Sequence, residues 1–262
     1  MRLDKDFLTE LELWPHFEMR RMAARVEPAM VLPAPAARVA RVASVVKTEK
    51  KATPAAAIAV QVTADPARAL RIAGLDWQAL ATDAATCKAC GLCQQRRQVV
   101  VGTGAQTAPW LFIGEGPGAE EDESGEPFVG QSGKLLDAML KAVGLQRGTE
   151  VAITNVVKCR PPGNRTPTLD EAAACAPYLD RQIALQQPKL IVALGKTAIT
   201  RLTGLDAPMA SLRGQVHQYQ GIPVVATFHP SYLLHKLPEK LKAWEDLLLA
   251  KSEMEKTLAG AA

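Results

Sequence analysis

Read for its apolar and polar positions, the chain changes character twice. Near the N-terminus Phe7, Leu8, Leu11 and Trp14 recur at helical spacing until Pro15, which ends a helix at the residue before it. From Pro28 to Asp65 that spacing dissolves into an Ala/Val/Pro-rich run with no large aromatic residue. Such a run buries too little surface to offset its ordering entropy, so it predicts a disordered linker. Periodicity returns at Pro66. Helical spacing covers 67–81 (Leu70, Ile72, Leu75, Leu80), with Gly74 interrupting it. From Trp110 short apolar runs alternate with helical patterns. Strands are expected at 111–113, 151–154 and 190–194, and helices at 134–143, 169–186 and 196–202. Further strands at 215–219 and 224–228 precede a closing helix at 239–256. This alternation predicts an α/β fold, a three-layer α/β/α sandwich around a mainly parallel sheet with a disordered N-terminal extension. The expected division is a short amphipathic helix in 1–27, a linker in 28–65 and one folded domain in 66–262.

Composition narrows the class. The 262 residues are 48% hydrophobic, enough for a core, and carry a formal net charge of +4, which permits nucleic acid without arguing for it. No apolar run reaches the length of a membrane span, and the N-terminus lacks a signal peptide's apolar core, so a cytoplasmic protein is expected. Five cysteines in such a chain point to metal ligands or buried thiols rather than disulfides.

Two features carry chemistry. The first is the stretch from Leu111 to Gly133, where a short strand ends in Gly114-Glu115-Gly116-Pro117-Gly118. Small residues there let backbone N–H groups approach a ligand. An acidic loop, Glu120 to Glu123, then leads to Pro127-Phe128-Val129-Gly130 and a helix. A strand, a glycine turn and a helix build a ligand site at the carboxyl end of a parallel strand. The turn is no phosphate loop, since it lacks Gly-Lys-Ser/Thr and its carboxylates would repel phosphate. The second feature is Cys87-x-x-Cys90 with Cys159 and Cys175 far downstream, a set that can make a Cys₄ site for zinc or an iron–sulfur cluster. Spacing does not separate the two metals, and Cys93 could replace Cys90 in a shifted register.

Taken together and in order, these motifs resemble the family 4 uracil-DNA glycosylases, the bacterial and archaeal type with a [4Fe–4S] cluster. The resemblance runs from about Thr86 to the last helix. It rests on Cys87-x-x-Cys90, Gly114 to Gly118 through Pro127 to Gly130, Thr154-Asn155-Val156-Val157-Lys158-Cys159-Arg160-Pro161-Pro162, Cys175, and Phe228-His229-Pro230-Ser231-Tyr232-Leu233-Leu234. It implies a uracil-DNA glycosylase-like fold and a DNA-repair hydrolase that cleaves the N-glycosidic bond of deoxyuridine. It implies Cys87, Cys90, Cys159 and Cys175 as cluster ligands, with no role for Cys93.

Such an enzyme must take uracil out of the base stack. Phe128 offers a ring for stacking, and Asn155 offers one acceptor and one donor to uracil N3–H and O4, the reverse of what cytosine presents. His229 and the Gly116 N–H are candidate donors to uracil O2, where negative charge gathers as the bond breaks. In the best-studied relatives an aspartate stands at the position of Gly116, which leaves Glu115 as the candidate carboxylate near the sugar. Glu121 matches a family carboxylate expected near uracil C5, against thymine's methyl group. Glu120, Asp122 and Glu123 are expected to be merely solvated. DNA contact is expected from Lys158, Arg160, Asn164, Arg165 and Ser231, with Leu233 or Leu234 wedged into the gap left by the flipped base. Helix-start amides after Ser132 and Ser231 could hold phosphates.

Two rival classes are weighed. A relative acting on another deaminated base, or forming a stable adduct, carries a basic, histidine-containing insertion after the asparagine motif, and residues 160–165 contain no histidine. An inactive adaptor would not need Asn155, His229, Phe128 and Glu115 intact. Outside the match, residues 4–25 resemble the peptide by which the psi subunit of the bacterial replicative polymerase docks on the clamp loader. That resemblance implies a replisome partner, with 28–65 as leash, for a protein otherwise expected to be a monomer acting on uracil-containing DNA.

Overall fold

The computed structural model describes residues 65–260, so the amphipathic helix, the docking peptide and the linker up to residue 64 lie outside the described residues. Asp65, the last residue of the expected linker, caps the first described helix. Its side chain accepts from the Ala67 N–H at 3.0 Å and caps helix α1 (Pro66–Ala73), whose first position is a proline.

The single helix expected over 67–81 is two. Gly74 ends α1, and Asp76 caps a second helix, α2 (Trp77–Thr86), by accepting from the Ala79 N–H at 2.8 Å. A second N-cap competing with helix continuation outweighs the shared apolar spacing. The acidic loop is also a helix, α3 (Ala119–Ser124), which follows β1 (Trp110–Gly114). Its early carboxylates sit at the positive end of the helix dipole, and Gly125 closes it at φ 79°. Asp122 is 3% exposed and accepts from the Arg97 N–H, so it is structural rather than solvated.

The chain continues through α4 (Gln131–Ala142), β2 (Val151–Asn155), α5 (Leu169–Gln186), β3 (Leu190–Leu194), α6 (Lys196–Thr203), α7 (Met209–Leu212), β4 (Val216–Tyr219), β5 (Ile222–Thr227), α8 (Pro230–His235) and α9 (Lys240–Ala259). The sheet has five strands in the order β2-β1-β3-β5-β4; β4 alone runs antiparallel, hairpinned onto β5. Strands β1, β2 and β3 are buried throughout, as parallel strands covered on both faces must be. The mainly parallel α/β architecture is therefore the one the alternation implied.

Two consequences of this topology position the site. All the parallel strands end at one edge of the sheet. In the β1–β2 register Gly114 stands directly beside Asn155, so a residue without a side chain neighbours the last polar residue of β2.

Candidate active site and cysteine cavity

The carboxyl ends of β1, β2 and β5 border one cavity of about 540 Å³. From the turn after β1 come Glu115 and Gly116, from β2 Asn155, from the turn after β5 His229, from α3 Glu121, and from the segment between α3 and α4 Phe128. These six expected site residues are brought together. Asn155 is 1% exposed, and its Oδ1 has no hydrogen-bond partner within the described residues. A buried acceptor left without a donor is costly, and its residue lines the cavity. The glycine beside it is obligatory: a Cβ on Gly114 would lie 2.6 Å from Phe128 Cζ and closer still to Asn155 Oδ1.

The Phe128 ring forms one wall, its centroid 5.5 Å from that of His229. Phe128 adopts φ 56°, unusual for a residue with a side chain. Its carbonyl is packed so tightly against α4 that any side chain at Gly133 would overlap it. Glu121 accepts from the N–H groups of Val129 and Gly130 at 3.0 and 3.2 Å and from that of Gly118 at 3.0 Å. Its carboxylate thus holds the loop that carries the ring while bordering the cavity.

His229 caps α8. Its Nδ1 accepts from the Ser231 N–H at 3.2 Å and lies 2.7 Å from Ser231 Oγ, which leaves the proton of the neutral ring on Nε2. Burial pushes its pKa down to about 4, so the ring is neutral at physiological pH. Glu115 accepts from Thr197 Oγ1 at 2.5 Å, which ties the β1 turn to the first turn of α6. A Cβ at Gly116 would stand 2.8 Å from Val157, so this backbone comes close to its neighbour only as glycine.

Asn164 and Arg165 line the cavity, whereas Arg160 does not. Arg160 donates to Asn164 Oδ1 at 2.7 Å, and Arg165 pairs with Glu171 at 2.7 Å. Ser231 and Leu234 line the cavity, Leu234 at 37% exposure. Three expectations are corrected here. Leu233 is 1% exposed and belongs to the core, because α8 is amphipathic and turns that residue inward. Lys158 is also 1% exposed, so it does not reach DNA; its ammonium donates to Thr154 Oγ1 and the Asn155 backbone oxygen, each at 2.7 Å. It anchors the end of β2, and burial draws its pKa down to about 8. The Ser231 amide is already bonded to His229 and is not free for a phosphate.

Cys87, Cys90, Cys159 and Cys175 line a second, small cavity, and Cys93, expected to stand apart, borders it too. Donors face the sulfurs: the guanidinium groups place Arg96 Nη1 3.0 Å from Cys159 Sγ and Arg68 Nη2 3.4 Å from Cys87 Sγ, and the Lys158 backbone N–H lies 3.3 Å from Cys175 Sγ. Burial lifts the Cys175 thiol to about 12, so it becomes a thiolate only against a strong positive partner. Among the described residues no three His, Cys, Asp or Glu are grouped tightly enough to hold a single metal ion.

Sequence reasoning missed Arg147, Thr197, Arg68 and Arg96. Each acts across a long sequence separation on a backbone oxygen, a carboxylate or a sulfur. No local spacing signals such a contact.

A family model described as the Uracil DNA glycosylase superfamily matches residues 101–248. The type-4 uracil-DNA glycosylase of Thermotoga maritima is 46% identical over 174 residues, covering 65% of this chain and 90% of that protein. That of Sulfurisphaera tokodaii is 45% identical, covering 57% and 72%, and that of Pyrobaculum aerophilum 42%, covering 62% and 86%.

Gly114→Ala is expected to force the Phe128 ring or the Asn155 carboxamide aside and to cost about 1–3 kcal/mol, the scale of core overpacking. A crystal structure and a urea melt of the variant check this. Both groups unmoved at parental stability would show that the glycine is not required.

Proposed function

The chain belongs to the type-4 branch of the uracil-DNA glycosylase superfamily, and from that membership we propose how its residues divide the work of removing uracil from DNA. The enzyme hydrolyses the N-glycosidic bond of deoxyuridine, releasing uracil and leaving an abasic site. The observation that carries the assignment of roles is the unpartnered Oδ1 of buried Asn155. Uracil N3–H fills that vacancy, and the amide nitrogen donates to O4. Cytosine presents an acceptor at N3 and a donor at its amino group, so it would leave buried groups unpaired or opposed. Phe128 stacks on the flipped base. Glu121, whose lone pairs are taken by backbone N–H groups, opposes a C5 methyl group through the position of its loop.

As the bond breaks, charge moves onto the base. His229 Nε2–H, with the Gly116 N–H, donates to O2, and this contact strengthens as the oxygen becomes anionic. A neutral imidazole with its proton already on Nε2 has no need to titrate. Glu115, steadied by Thr197, is the carboxylate for the developing sugar cation or its water. Arg160 and Arg165 contact the phosphates and Leu234 is the wedge; Leu233 and Lys158 take no part, and both donors of Ser231 are turned to His229.

We infer that Cys87, Cys90, Cys159 and Cys175, which line one cavity, would hold a [4Fe–4S] cluster. Thiols spread around a cavity suit a cube of iron and sulfide better than a point ion. The guanidinium and N–H donors beside the sulfurs suit its negative charge. Those cysteines would tie the C-x-x-C turn after α2 to the β2–α5 connection through Cys159 and to α5 through Cys175. The domain division is a glycosylase domain from Asp65 onward, preceded by a leash and by a peptide, residues 4–25, that docks on a replisome component. The protein works as a cytoplasmic monomer.

Asn155→Asp should slow uracil excision at least about tenfold, the scale of one mismatched buried hydrogen bond. His229→Ala should lower kcat more than it alters KM. The parental kcat/KM should show no limb at the ordinary histidine pKa of about 6.5, because His229 titrates near 4. The sign for stability follows. The unfolded chain takes up a proton below about 6.5 while folded His229 stays neutral, so stability falls as pH drops from there towards 4. Single-turnover rates across pH test the set, and parental rates in both variants would remove these assignments.

The cluster reading predicts brown protein with iron and sulfide, and loss of both on Cys159→Ala with a destabilised domain. Stoichiometric zinc without iron in anaerobically prepared protein would contradict it. Deleting residues 1–30 should leave excision on oligonucleotides unchanged and abolish binding to a purified clamp-loader complex; slower excision would assign the segment to the enzyme itself.

A further inference from the structure

We propose that Arg147 is a positioning residue for the base-stacking ring, acting on uracil solely through the backbone of Phe128. The proposal rests on the reading of Phe128 as the wall against which uracil stacks. Phe128 holds φ 56°, a conformation that persists in a residue with a side chain only where the surroundings enforce it. Those surroundings are two opposite charges. Arg147 donates from Nη1 to the Pro127 oxygen at 2.9 Å and from Nη2 to the Phe128 oxygen at 3.0 Å. Its Nε donates to Asp137 on α4 at 2.8 Å, which fixes the plane of the fork. On the other side Glu121 accepts the next two N–H groups, of Val129 and Gly130. The carbonyls of the turn therefore face a guanidinium and its amides face a carboxylate, so the peptide dipoles lie along the field between them.

Arg147 does not border the cavity. It reaches the turn from the loop before β2, with its side chain 22% exposed. Any effect on uracil must pass through the ring. Bridging two carbonyls at once needs the planar fork, and a lysine ammonium, though equally charged, does not reproduce it.

The test measures inhibition of the full-length enzyme by free uracil, which reports the pocket without the DNA, beside affinity for an abasic-site duplex and the melting temperature. Arg147→Gln and Arg147→Lys should each weaken uracil inhibition at least about tenfold, as loss of charge-assisted hydrogen bonds implies, with duplex affinity unchanged. Phe128→Leu should weaken it similarly, and adding Arg147→Gln to Phe128→Leu should weaken it no further, because both act through one ring. Asp137→Asn, a milder change that keeps the fork, should give a smaller shift in the same direction and carries the test if the arginine variants do not fold. Parental inhibition in Arg147→Lys, or full additivity in the double variant, overturns the role of Arg147. If Phe128→Leu itself leaves uracil inhibition unchanged, the stacking assignment fails first, and that result is distinct from the other two.

Discussion

The site depends on one register. With β1 and β2 paired so that Gly114 stands beside Asn155, the last turn of the sheet edge contains a missing side chain next to a buried carboxamide. The Phe128 ring and Asn155 Oδ1 both crowd the space a side chain there would take, and that oxygen has no donor within the described residues. A slip of one residue would exchange the faces of β2 and turn Asn155 away. Strand pairing, not loop chemistry, therefore places the group that reads the base, and the core residues of β1, β2 and β3 are what hold that pairing.

Around this edge, groups that look catalytic by type prove to be structural. Lys158 fastens the end of β2 by its backbone, Glu121 and Arg147 fix the turn bearing Phe128, and Ser231 sets the tautomer of His229. Their common effect is preorganisation: donors and walls stand in place before the base arrives, so little reorganisation is left for the moment of bond breakage. The cysteine cavity lies against the same β2–α5 connection, with Cys159 one residue from Lys158, so a cluster there would brace the strand end that carries Asn155.

Much of this was legible in the chain. Short apolar runs located the strands to within a residue or two, and Glu115, Gly116, Glu121, Phe128, Asn155 and His229, singled out by the ordered motifs, border one cavity. What was not legible had physical causes. Asp76 competes as an N-cap, so the helix over 67–81 splits although its apolar spacing runs through Gly74. Asp122 looks solvated beside Glu120 and Glu123, yet the Arg97 N–H draws it inside. Lys158 and Leu233 sit in motifs that touch a ligand, but their side chains turn inward, which residue type alone does not reveal. Arg147 carries no local signal, because its partners are backbone oxygens about twenty residues away.

The central claim is that a buried carboxamide with an open acceptor selects uracil. Nitrogen-15 NMR of the Asn155 side-chain amide and the His229 Nε2–H during titration with free uracil and then free cytosine tests it most directly. Uracil should shift both signals together and saturably, while cytosine at the same concentrations leaves them in place. Equal shifts with both bases, or uracil shifts confined to residues away from Asn155, would contradict the account.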